Sequence, residues 1–297
     1  MARIAIVGVG AIGGGLAALL DASGSHEIVL CTRRPLATLI VDTPAGDVRV
    51  RARNVSDPAL APAVDWVLVA TKAYDAEGTA KWFPALCAKG APVAVIQNGV
   101  EHRERFQQYS SADKLLPVVI DLPTERKAED RVHIRGRALI KVEDTKLGQS
   151  FAALFGAIGS RTDMRVELTD DFTTAMWWKL CFNSVGALNA LAMKPAGLLR
   201  GEAMGRVTLA MAAESVAVGR AEGARLSDSL PGEILEKYRK QPPDSVNSLL
   251  ADRRAGRRTE WDARNGAIVR KGEKHGIETP LNRIAAALLE AAEDPSL

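Results

Sequence analysis

Cysteine is scarce in this sequence of 297 residues. Only Cys31, Cys87 and Cys181 are present, they lie far apart, and no C-x-x-C pattern occurs. This pattern argues against a disulfide framework and against a zinc site, so we expect no metal. It is typical of a reducing compartment, and we therefore expect a cytoplasmic protein. Cys181 lies near other candidate site residues, but its expected role is that of a small buried apolar residue.

Net charge and aromatic residues are also scarce. Lys and Arg total 39 against 36 for Asp and Glu, and Phe, Trp and Tyr make up 5% of the chain. The arginine pairs at 33–34, 253–254 and 257–258 are scattered and are not interleaved with aromatic residues. No nucleic-acid partner is therefore predicted. The length is sufficient for two domains with sizeable cores.

A long uninterrupted apolar segment is missing as well. Residues 4–20 carry no charge, but they contain five glycines. Glycines at this density argue against both a signal peptide and a membrane span, so we expect no membrane partner. A buried parallel strand followed by a phosphate-binding turn explains the segment better.

The first fifteen residues are the most informative part of the chain. An apolar, β-branched run at 3–7 is followed by GVGAIG at 8–13, which fits G-x-G-x-x-G, and then by a helix-forming run at 16–20. A strand, a glycine turn and a helix in this order are typical of dinucleotide-binding sites. The alternative is a glycine-rich turn that binds nothing. The expected cofactor-binding residues are Gly8 for the tight turn, Gly10 for close approach of the pyrophosphate, Gly13 for helix packing, and Ala11 and Ile12 at the helix N-terminus.

The end of the second predicted strand, at 27–31, indicates which dinucleotide binds. Thr32-Arg33-Arg34 follows it, and no carboxylate occurs before Asp42. An acidic residue there would bind the ribose 2′-hydroxyl of NAD, whereas an arginine binds the 2′-phosphate of NADP. We therefore predict NADP(H), held by Arg33 or by its neighbour Arg34. The alternative is that both arginines are solvated surface charges.

Further apolar runs complete the predicted sheet. Residues 66–70 and 93–96 predict strands buried on both faces, and residues 48–53 predict a short exposed strand. Intervening helical stretches predict βαβ crossovers and a mostly parallel sheet. Ligands bind at the carboxyl ends of such strands, so we expect Gly10, Arg33, Lys72 and Asn98 to face one crevice.

The remaining pattern predicts an α/β protein with two domains. Strands are predicted at 115–120, 132–134 and 138–142, and the turns between the later ones are short enough for antiparallel pairing at the sheet edge. A helix at 150–158 and the connection out of the domain at 165–168 complete a Rossmann domain over 1–168. Helices are predicted at 171–191, 201–222, 232–239, 259–275 and 280–293, with a turn at Pro242-Pro243. They form an all-helical substrate-binding and catalytic domain over 169–297, with a cleft between the two domains.

The helical region contains the candidate catalytic residues. Lys179 and Asn183 are four residues apart and share one face of an apolar helix, although a lysine there could also extend to solvent. Residues 245–266 place Ser248, Asp252 and Glu260 among arginines. Most of these charges are expected on a solvated helix face, but Glu260 differs because Thr259 and Trp261 flank it.

These motifs resemble those of the ketopantoate reductase family (2-dehydropantoate 2-reductases), in order and at similar spacing over almost the whole chain. The matching stretches are GVGAIG at 8–13, TKAY at 71–74, QNG at 97–99, WKL at 178–180 with Asn183, Ser248, RRTE at 257–260 and GIETP at 276–280. The resemblance implies NADPH-dependent reduction of ketopantoate to (R)-pantoate in pantothenate biosynthesis. It implies that Lys179 is the general acid and that Glu260 helps to hold substrate and lysine. It also implies that Asn98, Asn183 and Ser248 bind substrate or the nicotinamide end, and that Lys72 contacts the cofactor.

One position departs from the family pattern. The family helix commonly has a second asparagine four residues after the first, and here that residue is Ala187, while Asn189 lies on another helix face. A reductase of another branched or bulky 2-oxo acid therefore stays open as an alternative. A non-catalytic NADP(H)-binding redox sensor is an alternative from a different class, which the pair Lys179 and Glu260 disfavours. A homodimer is also open, because long helical C-terminal domains often supply such interfaces.

Overall fold

The computed structural model describes residues 1–156 and 164–293. The chain forms two compact units, one of residues 1–97 with 102–172 and one of residues 98–101 with 173–297. The short segment 98–101 thus belongs to the second unit, although both of its neighbours in sequence belong to the first. Within the described ranges, every helix is too short or too polar to cross a membrane.

The strands of the described residues all lie in the first unit. They are β1 (Ala2–Val7), β2 (His26–Cys31), β3 (Ile40–Thr43), β4 (Gly46–Arg49), β5 (Arg53–Val55), β6 (Trp66–Val69), β7 (Val93–Val95), β8 (Leu115–Pro117), β9 (Val119–Asp121), β10 (Thr124–Ala128), β11 (Arg131–Ile134), β12 (Ala138–Glu143) and β13 (Met164–Thr169). The α-helices are α1 (Ala11–Ala22), α2 (Ala76–Ala80), α3 (Phe83–Leu86), α4 (His102–Phe106), α5 (Lys146–Ala153), α6 (Phe172–Ala192), α7 (Glu202–Ala221), α8 (Leu230–Lys240), α9 (Ser248–Arg254), α10 (Ala267–His275) and α11 (Pro280–Ala291).

A six-stranded parallel sheet forms the centre of the first unit. Its order is β5-β2-β1-β6-β7-β8, and every neighbouring pair is parallel. Numbered along the chain, these strands lie in the order 3-2-1-4-5-6, which is that of dinucleotide-binding Rossmann folds. The predicted fold class is therefore confirmed.

Strand β1 is buried on both faces, as its continuous apolar sequence predicts. Ile4 and Ile6 pack in one hydrophobic cluster together with Leu16 of α1. Ala5 and Val7 point to the opposite face and pack in a second cluster. Successive strand residues alternate between faces, so an apolar residue is needed at each of these positions.

Two smaller sheets correct the sequence-based predictions. The antiparallel pairs β3–β4, β10–β11 and β9–β12 lie in these sheets, not at the edge of the large one. The predicted strands 132–134 and 138–142 are β11 and β12, and they lie in different small sheets, so the expected antiparallel pairing between them is wrong. The predicted strand 48–53 is divided between β4 and β5, because the Val50 amide still bonds Leu39 while Arg53 onward pairs with β2. The predicted strand 115–120 is also two strands, because residues 115–117 pair with β7 of the large sheet whereas residues 119–121 pair with β12 of a small one.

The end of the first unit differs from the prediction too. Helix α5 begins at Lys146, four residues before the predicted start, because the Thr145 hydroxyl accepts from the amide of Gly148 (3.1 Å) and caps the helix. Residues 157 and 158 of the predicted helix lie outside the described residues. Residues 165–168, predicted as the connection out of the first domain, lie in strand β13, which pairs in parallel with β12.

The second unit contains helices and connecting turns between residues 173 and 293. Its largest core cluster surrounds α6, whose Trp177, Leu180 and Cys181 are almost fully buried. The predicted helix 259–275 is shorter than expected, since a π-helical turn at Asp262–Gly266 precedes α10, and residues 259 and 260 lie before it. Helix α9 is an addition to the predicted elements. Pro242 and Pro243 do lie in a turn, as expected.

Candidate active site

The glycine turn lies where the direction of the strand order reverses, between β1 and β6. Gly8 has a φ of +95°, and a Cβ there would lie 2.7 Å from the Thr71 amide nitrogen, so only glycine fits. A Cβ on Gly13 would collide with the carbonyl oxygen of Gly8. A Cβ on Gly10, in contrast, would meet no protein atom within 4 Å. The turn is therefore closely packed on both sides of Gly10 and open at Gly10 itself.

The first turn of α1 is available to an anion. Its N-cap residue is Gly10, no side chain caps the helix, and its first turn holds no acidic residue. The amides of Ala11, Ile12 and Gly13 have no partner within the helix, because the first turn of any helix lacks preceding carbonyls. Uncapped amides beside an open glycine fit a dinucleotide pyrophosphate.

Arg33 and Arg34 are exposed in the loop that follows β2. Asn54 on β5 organises this loop. Its side-chain amide donates to the Leu30 carbonyl (3.1 Å) and to the Thr32 hydroxyl (2.8 Å), and its Oδ1 accepts from the Leu36 amide (2.8 Å). No sequence signal marks Asn54, because its partners are distant in sequence and only the pairing of β5 with β2 brings them together.

Lys72 is half-buried and follows β6. Its carbonyl accepts from the amide of Asp75 (2.9 Å) and from the side-chain amide of Gln97 (3.3 Å). Because β1, β2 and β6 are adjacent and parallel, the glycine turn, Arg33 and Lys72 all lie at the carboxyl edge of the sheet. The sequence predicts this convergence within the first unit.

A hydrogen-bonded chain of three side chains lies in the second unit. The Asn183 amide on α6 donates to Oδ1 of Asn98 (3.3 Å), and the Asn98 amide donates to Oε2 of Glu260 (3.0 Å). Both asparagines are half-buried, whereas Glu260 is only 4% exposed. Three of the predicted site residues, distant in sequence, are therefore in direct contact.

Lys179 is half-buried on α6, one turn before Asn183. Residues four apart project from the same helix face, so the ammonium group belongs to the side of α6 that carries the hydrogen-bonded chain. The opposite side of this helix is apolar, with Leu180 and Cys181 in the core. The arrangement places a cation, two amides and a carboxylate on one polar side of the second unit.

Glu260 is held outside the helix that follows it. The amide of Thr259 donates to Oε1 of Glu293 (2.8 Å), and the helical turn after Trp261 is a π-helix in which Gly266 bonds the Trp261 carbonyl (3.0 Å). Single π-turns occur frequently at functional sites, where they redirect side chains. The π-turn therefore accounts for the difference from the predicted continuous helix.

Ser248 is exposed at the first position of α9, and a buried arginine lies beneath it. The Ser248 hydroxyl accepts from Nη2 of Arg264 (2.7 Å), and Arg264 is only 3% exposed. The expectation of a solvated charge run holds for Arg254, Arg257 and Arg258, which are exposed, but it is wrong for Arg264. The spacing of four residues from Glu260 is the one signal in the sequence that could have identified it.

The segment 98–101 is fastened to α10 by an ion pair. Arg270 donates to both carboxylate oxygens of Glu101, from Nε (3.1 Å) and from Nη2 (2.7 Å). This bidentate hydrogen bonding raises the pKa of Arg270, against a smaller opposing effect of burial. Asn98 therefore belongs to a segment whose far end is anchored. The sequence does not predict this pair, which joins positions 169 residues apart.

Three further candidate residues of α6 lie in the core. Cys181 is fully buried, and burial raises the pKa of its thiol to about 12, so it does not act as a thiolate. Ala187 is fully buried in a small apolar cluster with Leu249 and Met211. Asn189 donates to the carbonyls of Lys194 (3.1 Å) and Pro195 (2.9 Å), so it stabilises the turn after α6.

Comparison with known proteins identifies the family. The profile of ketopantoate reductase PanE/ApbA matches residues 4–146, and that of its C-terminal region matches residues 171–293. A 2-dehydropantoate 2-reductase of Caulobacter vibrioides is 46% identical over 292 residues, with 98% of this chain and 99% of the relative covered. The chain belongs to the ketopantoate reductase family. It is therefore an oxidoreductase of the 2-dehydropantoate 2-reductase type, and the resemblance described above is confirmed.

Other relatives agree along the full length. A 2-dehydropantoate 2-reductase of Mycobacterium tuberculosis is 35% identical, covering 98% of both chains. The crystal structure of a PanE/ApbA family ketopantoate reductase from Ralstonia eutropha JMP134 matches with a TM-score of 0.88 at 34% identity, again covering 98% of both chains. The family thus extends over both units, including the segment that carries Asn98.

Proposed function

We propose that this chain reduces 2-dehydropantoate to (R)-pantoate with NADPH, the reaction named for its relatives. The observation that carries the proposal is the hydrogen-bonded chain Asn183–Asn98–Glu260 with Lys179 one turn away on α6. A redox sensor needs only a dinucleotide site. It would have no use for this polar cluster in the helical unit, so the cluster favours an enzyme. We infer that residues 1–168 bind the dinucleotide and residues 169–297, with Asn98, bind the substrate.

The residues of the first unit suit NADPH. The amides of Ala11, Ile12 and Gly13 would hold the pyrophosphate beside the open space at Gly10, and Arg33 or Arg34 would meet the 2′-phosphate. We propose that Lys72 and Asn98 contact the cofactor beyond the phosphates. Bound NADPH would supply the hydride. The phosphate preference rests on the exposed arginine loop, which carries no carboxylate.

The residues of the second unit suit a 2-oxo acid. Hydride addition to the ketone carbon places negative charge on its oxygen, and the Lys179 ammonium would stabilise that charge and donate the proton. Glu260 would orient the lysine and the substrate through its fixed position next to Asn98. The Asn183 amide and the Ser248 hydroxyl would donate to polar groups of the substrate. Since Ala187 lies in an apolar cluster, its departure from the family pattern does not favour a different substrate.

Steady-state kinetics with a panel of 2-oxo acids tests the proposal. We expect 2-dehydropantoate to have a kcat/KM at least about tenfold above those of straight-chain and aromatic 2-oxo acids, a margin that a few apolar contacts supply. We expect NADPH to be preferred to NADH. A higher kcat/KM for another 2-oxo acid would replace the proposed substrate, and binding of NADPH without turnover of any acid would favour the sensor. The homodimer stays a prediction, which light scattering would test.

A further inference from the structure

Arg264 has an unusual environment for a guanidinium group. It is 3% exposed, and its one hydrogen bond to a described residue runs from Nη2 to the Ser248 hydroxyl (2.7 Å). Its Nε is buried and has no hydrogen-bond partner among residues 1–156 and 164–293. Burying a cation with an unsatisfied donor destabilises a protein, so packing alone does not explain this residue.

The bond to Arg264 fixes what the Ser248 hydroxyl can do. A serine oxygen has two lone pairs and one hydrogen, and a guanidinium group has donors only. The oxygen therefore accepts from Arg264, and its own hydrogen has to point elsewhere. Because Ser248 is exposed whereas Arg264 is buried, that hydrogen is available to a ligand.

Arg264 stays cationic although it is buried, because acidic residues including Glu260 surround it. Burial lowers the pKa of Arg264, while the negative charges of Glu260 and Asp252 raise it and partly offset the burial. The backbone of Ser248 is also fixed. Its neighbour Asn247 donates to the Gly186 carbonyl of α6 (3.1 Å) and accepts from the Leu250 amide (3.0 Å). The Ser248 hydroxyl is therefore a rigid donor, and the buried Arg264 cation lies behind it.

We propose that Arg264 is a positioning residue for the substrate carboxylate. It holds the Ser248 hydroxyl as a donor toward a carboxylate, which accepts hydrogen bonds but cannot donate them, and its charge strengthens that donor. This inference rests on the proposed reduction of a 2-oxo acid. The inference adds a determinant of substrate specificity. Arg264 and Ser248 together select the ionised 2-oxo acid over its uncharged ester or amide.

The test compares 2-dehydropantoate with its methyl ester in the full-length enzyme. For Arg264→Met we expect KM for the acid to rise by about ten- to a hundredfold, the range for a lost hydrogen bond to a charged group. The KM for the ester and the affinity for NADPH should change by less than about threefold. Arg264→Lys keeps a cationic donor and should retain most of the preference for the acid. Arg283→Met, at an exposed arginine of α11, is the matched control and should behave like the parent.

Ser248→Ala completes a double-mutant cycle. This exposed substitution should lose the same preference for the acid, and adding Arg264→Met to it should change KM by less than about threefold, because the arginine acts through the serine. If Arg264→Met does not fold, Ser248→Ala alone decides, and an unchanged preference for the acid overturns the inference. An equal rise in KM for acid and ester also overturns it. A parent enzyme that reduces no 2-oxo acid would instead reject the proposed function.

Discussion

The side-chain amide of Asn98 donates a 3.0 Å hydrogen bond to the carboxylate of Glu260, although the two residues are 162 positions apart. Asn98 also accepts from Asn183, so its amide oxygen and nitrogen are both assigned by their partners. A fixed amide of this kind holds the carboxylate in one orientation. The geometry of the proposed site thus depends on side chains from three separate parts of the chain.

Lys179→Ala tests the proton donor. Loss of a general acid costs roughly 10²–10⁴-fold, and loss of the charge facing the developing oxyanion adds to it, so we expect kcat to fall by about 10³-fold or more. NADPH affinity should change little, because the phosphate-binding residues are in the first unit. Single-turnover NADPH oxidation with saturating 2-dehydropantoate is the measurement. A rate within about tenfold of the parent would mean that another group donates the proton.

Glu260→Gln and Asn98→Ala test the hydrogen-bonded pair. Each change alone should lower kcat/KM by about ten- to a hundredfold, the range for hydrogen bonds to charged groups. The double variant should be little worse than the more damaged single variant, because residues that act as a unit are not additive. Fully additive losses in kcat/KM would show that the two residues act independently.

Arg33→Asp tests the cofactor preference. An arginine facing a phosphate contributes roughly 1.5–3 kcal/mol, so the preference for NADPH over NADH should fall by about ten- to a hundredfold. Arg34→Asp is the paired variant and identifies which of the two arginines carries the effect. Equal KM values for NADPH and NADH in the parent enzyme would contradict the prediction outright.

Arg270→Gln tests the anchoring of the segment 98–101. Arg270 is 43% exposed but the Glu101 side chain is only 13% exposed, so loss of this ion pair should cost only about 1–3 kcal/mol of folding stability, the range for a largely buried group that loses its hydrogen-bond partner. Its removal should nevertheless lower kcat/KM by about three- to tenfold, because Asn98 loses its anchored position. Arg283→Gln removes another arginine–glutamate pair, on α11, and should leave kcat/KM unchanged. A loss of stability without a loss of activity would count against the role of the anchor.

His102→Gln tests a buried histidine beside the same segment. His102 is 1% exposed, its Nε2 bonds the Gln97 carbonyl (2.8 Å), and burial lowers its pKa from 6.5 to about 4. Between these values the unfolded chain binds a proton that the folded protein does not, so stability falls as pH decreases from 6.5 toward 4. The variant should not show this loss of folding stability at low pH, which amounts to roughly 3 kcal/mol. Urea unfolding from about pH 4 to 7 is the measurement, and identical pH dependence would contradict the prediction.

The sequence predicts the central strands of the large sheet well because they are continuous apolar runs. Runs such as 66–70 can be stable only when both faces are covered, and they form β6 and its neighbours as expected. The small sheets are harder to predict. Strand β10 has mostly exposed polar residues, so no apolar periodicity marks it. The division of 48–53 depends on pairing with Leu39 and with β2, which local patterns do not encode.

Parts of the candidate site can be predicted from the sequence where the residues concerned lie close together in one motif. The glycine turn is marked by the spacing of its motif, whereas spacing shows only that Lys179 and Asn183 share a helix face, and their roles come from the family resemblance. Asn54 and Arg270 could not be predicted, because each acts on a residue that is distant in sequence. For Arg264 the only signal is its spacing of four residues from Glu260. An arginine in a charged stretch is normally solvated, and only tertiary packing shows that Arg264 is buried.

The assignment of residues 98–101 to the second unit has a consequence for how this family can be recombined. A chimera that joins residues 1–172 of one relative to the rest of another would pair an Asn98 segment from one parent with a Glu260 and an Arg270 from the other. A crossover placed at that unit boundary therefore separates partners that have to match. Such a chimera should be active only when the residues at positions 98 and 101 of the first parent match Glu260 and Arg270 of the second. The alternative is to exchange residues 98–101 together with the helical half.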